Sequence, residues 1–282
     1  MGHMSERNDF DANIIGFIGD DFDITAQGFT GVELYYLEPN RQTLAALHPE
    51  VFRAINMSVL RRRDDEAGPA EKYFKLVLSL HDKKVLDVIS RGRVRMALLE
   101  NSTGGSGLLA KGLCNGLNMV DRNGGIASTY GAGLVASAST HIWSEPPHKY
   151  VLDDTLSVWH THTPREDEDD IGREMMEDER RSLIRFFEYY ASEPFKRRIV
   201  QVLREDTTAQ PEVRLLGRQL AEAGIATQSF STLDEMRDHV LVPMGLVVGN
   251  QIIFEPARKF FDEARKDLDE FTVKRRASAL SI

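Results

Sequence analysis

One cysteine, Cys114, stands in 282 residues. No intrachain disulfide can form from it, and a reducing compartment suits such a chain. No apolar run approaches the roughly 18 residues that a membrane span needs. No signal peptide is seen ahead of the first strand-like segment, so the expectation is a cytoplasmic protein without a membrane partner. Positive charge is also scarce: 35 Lys and Arg against 44 Asp and Glu give a net charge of −9. That balance excludes the broad basic surface of a nucleic-acid binder. The local basic triplets at 61–63 and 274–276 read as solvated helix ends. There is no internal repeat and no Cys/His framework for a structural zinc.

What remains is ordinary globular material, 41% hydrophobic and 28% charged, enough to build a core. Residues 1–4 read as a cloning remnant, and 1–12 as a flexible start. Strands are expected at 13–19, 32–37 and 94–99, with helical stretches at 40–63 and 71–90 between them. Cys114 falls in a helical stretch rich in Gly and Leu and reads as core rather than nucleophile. Residues 125–130 suggest a strand, 131–140 a helix, and 141–144 and 150–159 further strands. After His162 the chain turns acidic and helical, with helices expected near 166–190, 194–204 and 211–223. Strands at 225–230 and 246–254 and a charged helix at 256–276 complete the reading. Strands alternating with helices indicate an α/β core with parallel pairing.

Three segments carry candidate chemistry. A strand runs into Asn101-Ser102-Thr103-Gly104-Gly105-Ser106. A small-residue stretch, Gly133-Leu134-Val135-Ala136-Ser137, follows. A third strand ends in Ser157-Val158-Trp159-His160. Strand ends are where α/β folds present reactive groups. A serine hydroxyl becomes a competent nucleophile when an imidazole takes its proton, which makes His160 the candidate base. Gly104 and Gly105 permit the close backbone approach that an oxyanion site needs. A serine at a helix start is expected to leave its own N–H and its neighbour's free to donate. The small residues around it allow the helix start to press on the Gly-Gly turn.

In that order and spacing the three segments resemble the Clp protease proteolytic subunit family, serine peptidases of the crotonase-like fold. The family's N-S-P-G-G-S turn is matched with Thr103 in place of proline. Its G-x-A-A-S nucleophile motif is matched by residues 133–137, and its S-x-V-M-I-H strand by residues 155–160. The resemblance covers roughly residues 90–165 well. It implies an α/β fold of repeated ββα units, with Ser137 as nucleophile, His160 as base, and oxyanion donors at Gly105 and Ala138. It further implies peptide or unfolded-protein substrates, a ring-forming homo-oligomer, a possible ATPase unfoldase partner, and no cofactor or metal. The family's third member, a carboxylate between two helices, points to Asp206, with Asp238 as the competing match. The peptidase unit is expected over 13–230, and a helical C-terminal extension over 231–282.

Three other readings compete. His160 and His162 form an H-x-H pair of the kind that ligates metals. A crotonase-type acyl-CoA enzyme would use similar glycine-rich donors. A catalytically inactive ring subunit would keep the fold without the chemistry.

Overall fold

A computed structural model describes residues 12–19, 31–37, 94–105, 107–161, 170–205 and 212–279 of the chain. The helices expected at 40–63 and 71–90 lie outside these residues. Within them the architecture is mixed α/β, with a mostly parallel eight-stranded sheet and seven helices. Strands β1 (Ala12–Gly19), β2 (Gly31–Leu37), β3 (Val94–Ser102), β4 (Ile126–Ala136) and β5 (His148–Leu152) are joined by the short β8 (Gln228–Phe230) in the order β2-β1-β3-β4-β5-β8. Only the β1–β2 pair in this row is antiparallel.

Strand β4 is the organising element. Its first half, Ser128 to Gly131, pairs with β5, and its last residues, Leu134 to Ala136, pair with β6 (Leu156–His160). Strand β6 in turn holds β7 (Glu212–Leu216) antiparallel. The Thr155 hydroxyl donates to the Gly131 carbonyl at 3.1 Å, at the point where β4 passes from one partner to the other.

The central strands are buried on both faces, and period-2 alternation sorts their side chains. Ile15, Phe17, Ala97 and Leu99 point to one face, Ile14, Ile18, Met96 and Leu98 to the other. The first face is covered by α6 (Leu233–Leu241) and α7 (Glu255–Ala279), through Met236, Val240, Ala257, Phe260, Phe261 and Ala264. The second is covered by α1 (Gly107–Arg122) and α2 (Ala138–Ser144), through Leu113, Leu117 and Ile142. A third cluster packs β6 and β7 under α3 (Asp170–Tyr190), α4 (Phe195–Glu205) and α5 (Gly217–Glu222), around the fully buried Trp159 and Phe187. Burial of each large apolar side chain contributes about 1.5–3 kcal/mol. Helix α6 starts with a capping box: Thr232 Oγ1 accepts from Glu235 N at 3.2 Å, and the Glu235 carboxylate accepts from Thr232 N at 3.2 Å. The turn after 246 is a two-stranded hairpin, β9 (Val247–Val248) with β10 (Gln251–Ile252), turning at Gly249 and Asn250.

Three local expectations are corrected. Residues 131–136 continue β4 instead of starting a helix, and residues 141–144 lie in α2 instead of a strand. Small residues fit either state, and pairing to β3 and β6 decides for the strand. Residues 212–216 are β7 rather than the start of a helix. There Val213 and Leu215 point into the third cluster while Glu212 and Arg214 face solvent, a period of 2 that the helical reading overlooked.

Candidate active site

Strand β4 ends at Ala136 and α2 begins at Ala138, so one residue makes the whole turn. That residue is Ser137, with φ 55° and ψ −126°. It is the one non-glycine with positive φ among the described residues. Such a conformation costs an L-residue on the order of 1–3 kcal/mol and persists where its surroundings over-determine it. Here Ser137 N donates to Val158 O of β6 at 3.0 Å. Its carbonyl accepts from Thr140 N at 3.0 Å and from Thr140 Oγ1 at 2.6 Å. A sharp strand-to-helix turn of this kind lifts a serine hydroxyl clear of the backbone. The side chain is half-buried.

The bond to Val158 corrects the expectation that the serine's own N–H is free. The N–H of Ala138, at the first helical position, has no carbonyl of its own helix to donate to. Beside it lies the Gly104-Gly105 turn, with φ 110° and 156°. Ser102 Oγ accepts from Gly104 N at 3.0 Å and shapes the turn. The approach to the serine is close: a Cβ on Gly104 would stand 2.4 Å from Ser137 Cβ and 2.7 Å from the Ala136 carbonyl oxygen. Glycine is therefore required there on two grounds, space and φ.

His160 closes β6. The ladder pairs Ala136 with Val158, which sets His160 one strand across from Ser137 and one residue further along. Those steps are about 4.8 Å and 3.3 Å. Its Nδ1 lies 2.6 Å from the Thr161 carbonyl. A carbonyl only accepts, so Nδ1 carries the proton, and in the neutral ring Nε2 holds the lone pair. That is the tautomer a general base requires. Across the antiparallel β6–β7 pair, Glu212 stands directly opposite His160 and is ion-paired with Arg214. Helix α2 adds His141, whose pKa is held below the ordinary imidazole value chiefly by desolvation. The charges of Glu179 and Glu145 pull it upward and that of His160 pulls it down.

The second serine of the small-residue stretch is already committed. Ser139 Oγ donates to Glu100 Oε2 at 2.5 Å, and both side chains are buried. Burial pushes the Glu100 carboxyl well above the ordinary range, with the Ser139 hydrogen bond opposing. Its other oxygen, Oε1, has no hydrogen-bond partner among the described residues. A neutral acid accounts for this arrangement better than a carboxylate, whose burial without a counter-charge is costly. Cys114 donates from Sγ to the His141 carbonyl, and its thiol is pushed up to about 12, first by burial. It has no thiolate character at neutral pH.

Ser137, Ala138, Gly104 and Gly105 thus meet at the ends of β3 and β4, with His160 on the adjoining strand. Asp206 and His162 lie outside the described residues. Asp238 is on α6, engaged with Arg237 Nε at 2.8 Å, on a helix that packs against β5 and β8. The helix expected over 211–223 hid the β6–β7 pairing that sets Glu212 opposite His160 in the ladder. The signal was Val213 and Leu215 alternating with charged residues.

No known family model matches the sequence, and no curated protein matches it. Among solved structures, a mutant of ClpP1 from Listeria monocytogenes aligns with 18% identity and a TM-score of 0.41, over 58% of this chain and 84% of that one. Among the described residues no helix is long and apolar enough to cross a membrane, and no group of three or more His, Cys, Asp or Glu could hold a metal ion.

Proposed function

We propose that this chain is a serine-type peptidase acting through an acyl-enzyme on Ser137. The observation that carries the reading is the strained backbone of Ser137. A non-glycine residue at φ 55° stands against a glycine turn and next to the strand that ends in His160. Ser137 Oγ attacks the substrate carbonyl while His160 Nε2 takes its proton. The N–H groups of Gly105 and Ala138 stabilise the oxyanion that forms. The tetrahedral species collapses by expelling the amine, which receives the proton from His160. Water, deprotonated by the same nitrogen, then attacks the acyl carbon and returns Ser137.

Asp206 is proposed, on the resemblance of the motifs, as the carboxylate that takes the Nδ1–H of His160 in the active state, in place of the Thr161 carbonyl that accepts it here. Peptide or unfolded-protein substrates, a ring-forming homo-oligomer and an ATPase unfoldase partner belong to the same proposal. Fluorophosphonate labelling followed by peptide mapping tests it. The label is expected on Ser137, absent from Ser137→Ala and reduced about 10³-fold or more in His160→Ala. A folded protein that never takes the label, or takes it equally well without His160, would rule the mechanism out.

A further inference from the structure

The C-terminal helix is tied to the edge of the proposed site by Asp267. Between the pairs Glu100↔Gly131 and Ser102↔Val135 the β3–β4 register shifts, so that β4 carries extra length at Ala132, Gly133 and Leu134. Asn101 stands opposite this irregularity. Its Oδ1 accepts from Leu134 N at 3.0 Å, and it packs so closely that a Cβ on Gly133 (φ 80°) would stand 2.5 Å from that oxygen. The other end of the carboxamide, Nδ2, donates to Asp267 Oδ2 of α7 at 2.6 Å.

A carboxamide has one accepting and one donating end, and the two are nearly equal in size. Leu134 N–H needs the oxygen. An aspartate carboxylate only accepts, so it draws the NH2 end toward α7 and leaves the oxygen on Leu134. Without Asp267 the group can turn over and present a donor to a donor. Leu134 is three residues from Ser137, and Asn101 is three from Gly104, so the clamp joins the two halves of the site.

We infer that Asp267 is a positioning residue: it fixes the orientation of the Asn101 carboxamide and through it the registration of the Ser137 turn against the Gly104-Gly105 turn. This rests on the peptidase reading for its catalytic consequence. Helix α7 is held to the core by Phe260, Phe261 and Ala264 independently of Asp267, so the residue can be altered without detaching the helix.

The experiment compares Asp267→Ala, Asn101→Asp and the exchanged pair Asn101→Asp/Asp267→Asn with the wild-type chain. It measures amide exchange over residues 133–137 and the rate of fluorophosphonate labelling. Asp267→Ala should speed exchange at Leu134 about tenfold, the loss of one well-made hydrogen bond, and slow labelling by a similar factor. Asn101→Asp alone sets two carboxylates together and should be worse. The exchanged pair restores an acceptor for Leu134 N–H and a donor between the two positions, and should return both rates to within about threefold of wild type. Exchange and labelling unchanged in Asp267→Ala, or no recovery in the exchanged pair, would overturn the inference. The exchange measurement needs no catalysis. A chain that never labels, yet shows faster exchange in Asp267→Ala and recovery in the pair, keeps the clamp and refutes the peptidase instead.

Discussion

Replacing Ser137 by glycine should make the protein more stable while destroying its proposed activity. The backbone at φ 55°, ψ −126° suits glycine and penalises any residue with a Cβ by about 1–3 kcal/mol. Glycine gives back part of that gain, because its unfolded chain is freer by about 0.5–1 kcal/mol. The net expectation is about 1 kcal/mol in favour of Ser137→Gly. Ser137→Ala is the control that isolates the effect. It also lacks the hydroxyl but keeps the Cβ, and so keeps the strain and the contact with Gly104. Denaturant titration of the two variants side by side reads the difference directly. At the usual conversion for a chain of this size, about 1 kcal/mol corresponds to some 2–4 °C in melting midpoint. If Ser137→Gly is no more stable than Ser137→Ala, the turn is not strained, and the main observation behind the proposed function loses its force.

Glu100 offers a test by pH. Its pKa is raised in the folded protein, so the native state holds the proton more tightly than the unfolded chain does. The contribution of this group to stability is therefore complete below its ordinary pKa of 4.5 and is lost as pH climbs toward the raised value, by up to about 1.4 kcal/mol per pH unit. Glu100→Gln keeps an acceptor for Ser139 without the ionisation. It should flatten the stability profile above pH 5, and a profile with the wild-type slope would show that Glu100 does not titrate as described. Gly104→Ala should cost about 2–4 kcal/mol in denaturant titration and abolish labelling of Ser137, since the added methyl meets Ser137 and the Ala136 carbonyl. Near-wild-type stability with full labelling would mean that the turn does not approach the serine.

The strands of the sheet centre were legible because both faces are apolar: the segments at 13–19 and 94–99 are short, nearly continuous apolar runs. The site motifs were legible because Gly104-Gly105 and Ser137 sit at strand ends, where composition changes abruptly. Other features depend on partners distant in sequence. Whether 131–136 is strand or helix is decided by β3 and β6, not by its own small residues. The committed state of Ser139 follows from Glu100, 39 positions earlier, and the role of Asn101 from Asp267, 166 positions later. The orientation of His160 comes from a main-chain carbonyl, which no side-chain pattern announces. Choosing between Ser137 and Ser139 required the motif resemblance in the sequence, whereas in three dimensions one backbone dihedral and one hydrogen bond separate them.

The divided pairing of β4 also constrains how this chain can come apart. Strand β6 is held through the last three residues of β4, and β5 through an earlier stretch of the same strand. Both wings use β4 as their template, so loss of β4 from the sheet removes the support of both. A one-residue deletion between Gly131 and Leu134 would put the two wings out of step with one another while leaving each wing's own sequence intact.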